Sequence, residues 1–146
     1  MRAAACILCV IGVSRVAAQT PAPAPRRVGS PYAYEWFMRA EIWRAKHQLE
    51  PALDAYRNAL SSADEDPHLL SRYASALDLA GQSSRALEVL QEAFAQDPYA
   101  ESAWLARAEI AERHGHLATA LEAYERAEAA APASPNAPLG LAALLD

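Results

Sequence analysis

Beyond residue 30 the apolar positions fall into short runs at helical spacing, and the runs themselves repeat. Three strings carry the repeat: ALDAYRNAL from Ala52, ALEVLQEAF from Ala86 and ALEAYERAE from Ala120, whose first alanines lie 34 residues apart twice over. The match continues in register. Tyr56, Leu90 and Tyr124 hold one position, and Ala59, Ala93 and Ala127 hold another three residues on. Earlier in the unit Trp36, Leu70 and Trp104 align, as do Ala40, Ala74 and Ala108. His47, Gly81 and Gly115 stand between two helical patterns. Pro98 and Pro132 close the second and third units, while a polar insert around Asp64, Glu65 and Asp66 displaces the first closing proline to Pro67.

The physical reading is a pair of amphipathic helices per unit. The aligned alanines mark close approach of two helix backbones, and the aligned Trp and Tyr fill wider gaps. One such pair cannot bury its apolar face alone, so neighbours stack. Ser30-Pro31, Asp66-Pro67, Asp97-Pro98 and Ser134-Pro135 each read as an N-cap residue before a proline at the first helical position. Gly81 and Gly115 are expected where the first helix of a pair stops in a left-handed conformation, a place His47 also tolerates. Glu35–Arg39, Glu109–Arg113 and Glu122–Arg126 have the spacing of surface ion pairs along a helix.

These residues resemble the tetratricopeptide repeat over Ala33–Pro132, about two thirds of the chain. Two features depart from the family pattern. Arg39, Tyr73 and Arg107 stand where the family usually has Leu, and His47 replaces the turn glycine of the first unit. The resemblance implies an all-α fold, an α-solenoid of three helix-turn-helix repeats (33–66, 67–100, 101–134) with a C-terminal capping helix at 135–146. It also implies a concave groove lined by the first helix of each unit. The corresponding positions are Tyr34, Phe37, Met38, Glu41 and Arg44 in unit one, and His68, Ser71, Arg72, Ser75 and Asp78 in unit two. In unit three they are Ser102, Leu105, Ala106, Glu109 and Glu112. Chaperone-binding members of the family clamp a terminal carboxylate with Lys and Asn, but Phe37 and Glu41 stand at those positions, so that activity is not expected. Phe37 and Met38 are expected to face water in the groove as partner anchors and to add little to the core. Leu139, Leu141, Leu144 and Leu145 make the last helix unusually apolar for a cap. It is expected to dock on unit three or to offer an edge for self-association.

The N-terminal segment has a different pattern. Arg2 precedes an apolar run over residues 3–13, and VAAQT comes after it with Val16 and Ala18 as small residues. This is the layout of a secretory signal peptide over residues 1–18, cut before Gln19. The run is too short to span a bilayer, and no other stretch is long enough. Both cysteines, Cys6 and Cys9, lie inside it, so the exported chain is expected to hold no disulfide. Residues 19–30 form a Pro-rich spacer.

Composition narrows the function. Alanine fills about a quarter of the 146 positions and Gly only 5, a helix-forming balance that a β-sandwich or barrel would not show. One domain of this length excludes a multidomain enzyme. The net charge is −5 with no basic run, which excludes an ordinary nucleic-acid binder. No phosphate-cradling, zinc-protease or serine-hydrolase motif appears. Glu112 with His114-Gly115-His116 is a poor metal site, since the glycine is expected to send the two rings in different directions. The acidic insert lacks the spaced ligands of a calcium loop. The expectation is a non-catalytic scaffold or adaptor with no cofactor or metal, holding a protein or peptide partner in its groove. A structural unit that self-associates through its last helix is the alternative. The many Ala and Arg and the single Lys46 point to a GC-rich bacterial genome, and so to the periplasm.

Overall fold

The computed structural model describes residues 30–63 and 66–145. Among them are seven α-helices and no strand: α1 (Pro31–Ala45), α2 (Leu49–Ser62), α3 (Pro67–Leu79), α4 (Ser83–Gln96), α5 (Glu101–Arg113), α6 (Leu117–Ala130) and α7 (Asn136–Leu145). The signal segment, the spacer up to residue 29 and the acids Asp64 and Glu65 lie outside the described residues. Helices pair as α1–α2, α3–α4 and α5–α6, and α7 closes the stack against α6.

The alanine register explains the pairing. Ala40, Ala74, Ala108, Ala52, Ala86, Ala120, Ala59, Ala93 and Ala127 are all wholly buried. A methyl group is all that fits where two helix backbones close on one another. Tyr56, Leu90 and Tyr124 fill the larger spaces beside them. Of the residues that stand in place of the family's Leu, Tyr73 is buried against Tyr56 with ring centroids 6.1 Å apart. Arg39 and Arg107 instead lay their guanidinium groups over Trp36 and Trp104.

Within each unit the turn is built the same way three times. His47, Gly81 and Gly115 have φ of 56°, 80° and 74°. The amide after each donates to a carbonyl five residues back: Gln48 to Trp43 (2.9 Å), Gln82 to Leu77 (2.9 Å) and His116 to Ala111 (2.8 Å). That bond satisfies a carbonyl left open at the helix end and needs the left-handed residue before it.

Helix starts correct two expectations. Asp66 caps α3 by accepting from the His68 amide at 2.9 Å, and Pro67 is its first residue. α1 likewise begins at Pro31, although the Ser30 side chain makes no capping bond. Asp97-Pro98, however, does not open α5. The Asp97 carboxylate accepts from the Tyr99 amide (2.9 Å) and its carbonyl from the Ala100 amide (3.1 Å). These bonds close a turn with Pro98 at its second position, and the helix begins three residues on at Glu101. α7 begins at Asn136, with the Pro135 carbonyl accepting its first helical bond from Leu139 at 3.2 Å.

The cap docks. Ala137 is wholly buried, and Leu141 and Leu144 pack on the cluster of Ala108, Ala123 and Tyr124. Leu139 remains 66% exposed.

Candidate functional site

Consecutive first helices meet along one face, and polar side chains join them. Phe37 and Glu41 on α1 reach His68 and Arg72 on α3. Ser71 on α3 reaches Ser102 on α5. The two junctions differ. α3 and α5 lie close, and the Ser71 hydroxyl fits between them, donating to the Pro67 carbonyl at 2.5 Å with Ser102 Oγ at 3.4 Å. α1 and α3 are instead bridged by long side chains.

Glu41 is the centre of that bridge. Its carboxylate accepts from Arg72 Nε (2.9 Å), Arg72 Nη2 (2.5 Å), Arg44 Nη2 (2.7 Å) and the Tyr56 hydroxyl. Burial opposes its ionisation, but the bonds from Arg72, Arg44 and Tyr56 outweigh it and hold the Glu41 carboxyl down to about 2. The Glu41 bonds in turn raise the Arg72 guanidinium, while burial and Glu41 together raise the Tyr56 hydroxyl.

Asp78 plays the matching part between units two and three. Its side chain is only 2% exposed and accepts from Arg113, from Ser83 (2.7 Å) and at His114 Nε2 (2.8 Å). Burial works against the charge, and the Ser83 and His114 bonds with the Arg113 charge lower its proton affinity overall. This corrects the expected Glu109–Arg113 pair: a buried carboxylate gains more from the guanidinium than an exposed one does. Glu35–Arg39 (2.6 Å) and Glu122–Arg126 (3.8 Å) do form.

The residues read as groove-lining therefore divide. Tyr34 (65% exposed) and Met38 (41%) stand open on α1, and Glu109 and Glu112 are exposed on α5. Glu112 accepts from the Tyr124 hydroxyl at 3.0 Å, and burial with Glu112 pushes that hydroxyl up to about 12. Ser71, Ser75, Asp78 and Ala106 are buried between helices, and Leu105 packs on the core below α7. Phe37 is half-buried, its ring 6.3 Å from Tyr56 and 5.8 Å from His68. The expectation that it adds little to the core is corrected, because it packs against the core cluster. His114 and His116 also differ from expectation. Gly115 turns the chain so that their rings stack at 6.4 Å and 30°, and His114 is tied to Asp78. No group of three or more metal-ligating side chains occurs among the described residues. No helix among them is long and apolar enough to cross a membrane.

The ionic roles of Glu41 and Asp78 were missed by pattern reading. For Glu41 the one signal is spacing, since Glu41–Arg72 and the Ser71–Ser102 contact are both 31 residues apart; Asp78 does not share it, as Arg113 lies 35 residues on.

Residues 67–110 match the tetratricopeptide repeat family. No curated protein sequence matches the chain. Among solved structures, the Sgt2 TPR domain from Aspergillus fumigatus is 27% identical, with 80% of this chain and 79% of that one covered and a TM-score of 0.68. The TPR2B domain of yeast Sti1, solved in complex with pHsp70, is 25% identical over 69% of this chain and 81% of its own, with a TM-score of 0.60. The first TPR domain of human RPAP3 is similar in fold, at 19% identity, coverage of 78% and 90%, and a TM-score of 0.66. By helix order, turn geometry and these likenesses, the chain folds as an α-solenoid of the tetratricopeptide-repeat type.

Proposed function

We propose that this chain is an exported, non-catalytic interaction module that holds a protein or peptide partner on the face formed by α1, α3 and α5. The observation that carries the reading is the open apolar pair Tyr34 and Met38 beside the Phe37 ring, on a helix whose polar neighbours are already bonded to one another. Large apolar side chains left in water on a rigid face mark a partner site. The Glu41–Arg72 bridge fixes the helix that presents them. A similar solved domain, from yeast Sti1, is held in complex with a partner, which supports the class of function. Phe37 and Glu41 stand where chaperone-binding relatives place Lys and Asn, so the partner is of another kind than a carboxylate-terminated tail. Export rests on the signal-like pattern of residues 1–18, and the periplasm on composition.

Among the described side chains, the alternative of self-association through the last helix draws on Leu139, since Leu141 and Leu144 are used in docking and the Leu145 side chain lies outside those described. One exposed leucine is ordinary surface.

The test is a pull-down from periplasmic extract with the parent chain and with Tyr34→Ser/Met38→Ser. Both residues are exposed, so the melting temperature is expected to stay within experimental scatter. Capture of the partner is expected to fall about tenfold, as when anchor side chains are lost. Undiminished capture by the double variant would remove this face from the function.

A further inference from the structure

α5 has a second working face. Arg107, Ile110, Ala111 and His114 recur at spacings of three and four residues, on the opposite side of the helix from Leu105, Glu109 and Glu112. They form one wall of a cleft of about 400 Å³, with α4 as the other wall and the start of α6 at its end. The cleft exists because the second junction is tight where α3 meets α5 and thin where α4 meets α5. Leu90 and Ile110 are buried at its base, and Leu87 stands in its α4 wall 47% exposed.

Charge sets the occupant. The chain has 18 acidic and 13 basic residues, yet no Asp or Glu lines this cleft. Its titratable lining groups are Arg107, His114 and His116. His114 is engaged by Asp78 from behind. The Arg107 guanidinium lies 6.0 Å from the Trp104 ring centroid and has no carboxylate partner among the described residues. An apolar base under an unneutralised guanidinium suits a ligand with an apolar body and one anionic end. The volume lies within the range of small-molecule clefts.

We propose that this cleft binds a small amphipathic monocarboxylate in free solution. The apolar chain lies along Leu87, Leu90 and Ile110, and the carboxylate accepts from Arg107. The site is independent of the face formed by α1, α3 and α5.

The test uses the full chain, isotope-labelled, and decanoate below its micellar concentration as probe. Saturable shifts are expected at the Ile110, Ala111 and Thr119 amides and at the Trp104 indole, which sits 4.5 Å from the Phe94 ring in the cleft wall. Decanol in place of decanoate, and Arg107→Gln with decanoate, are each expected to bind about tenfold more weakly, as when a charge-assisted bond is lost. Leu87→Asp is expected to abolish the shifts, and as an exposed position it leaves the fold intact. Equal affinity for decanol and decanoate would overturn the proposal, as would shifts confined to Tyr34, Met38 and their neighbours. Concentration-dependent dimerisation abolished by Leu87→Asp would give the cleft to a second copy and overturn it too.

Discussion

Glu41 accepts from two arginines and a tyrosine drawn from three helices, and that convergence ties α1 to α3. Its folded-state value of about 2 lies below the ordinary 4.5, so the folded chain holds fewer protons than the unfolded one between those values. The stabilisation is therefore fully present above about pH 4.5 and is lost as pH falls toward 2. After solvent screening it is on the order of 1–2 kcal/mol. Urea midpoints at pH 7 and pH 3 are expected to differ less for Glu41→Gln than for the parent, the difference isolating this carboxylate from the others that titrate. Identical pH dependence in the two proteins would mean that the Arg72 bridge does not hold the junction. Pattern reading found the buried alanines at this scale because each can be compared with itself one repeat away. It did not find the pairing of Glu41 with Arg72 or of Asp78 with Arg113, because the curvature of the stack decides which side chains of neighbouring units meet.

The helices were legible because each unit repeats both its apolar spacing and its stop. Gly81 and Gly115 end their helices with positive φ as glycine permits, and His47 does the same with a side chain attached. A residue with a Cβ loses on the order of 1 kcal/mol in that conformation. His47→Gly is therefore expected to stabilise the chain by about 1 kcal/mol, read as a higher urea midpoint. Open space around Gly81 makes the converse change there a backbone effect alone. A lower midpoint for His47→Gly would show that the imidazole makes a contact that outweighs the strain. The start of α5 was less legible for a chemical reason. An Asp-Pro pair serves equally as a helix cap, as at Asp66-Pro67, or as the first half of a turn, as at Asp97-Pro98. In both pairs the carboxylate accepts from the amide two residues on. The backbone carbonyls separate them: that of Asp66 accepts from Leu70, four residues on (3.0 Å), and that of Asp97 from Ala100, three residues on (3.1 Å).

Across the whole molecule the repeat is regular in its pairs and uneven in its junctions. Units one and two are bridged by Phe37, Glu41 and Arg72, and units two and three by small residues and the Asp78–Arg113 ion pair, with a cleft between α4 and α5. No repeat alignment shows this, because identical spacing permits either arrangement. The stack ends on α7, whose seat depends on a residue without a side chain. A methyl group at Gly140 would overlap the ring of Tyr124, which is buried and has its hydroxyl held by Glu112. Turning the ring away would give up that bond, so part of the overlap is expected to be relieved by α7. Gly140→Ala is expected to destabilise the chain by about 1–3 kcal/mol, the usual effect of overfilling a packed interface. Its first sign is expected in hydrogen exchange, as faster exchange of the α7 amides than of those in α3 or α5. Lifting α7 also uncovers the surface that Leu141 and Leu144 now share with Tyr124. In sedimentation velocity the variant is then expected to associate with rising concentration more than the parent does. If α7 keeps its protection and the variant sediments as the parent does, α7 does not rest on the Tyr124 ring and the end of the solenoid is closed by some other contact.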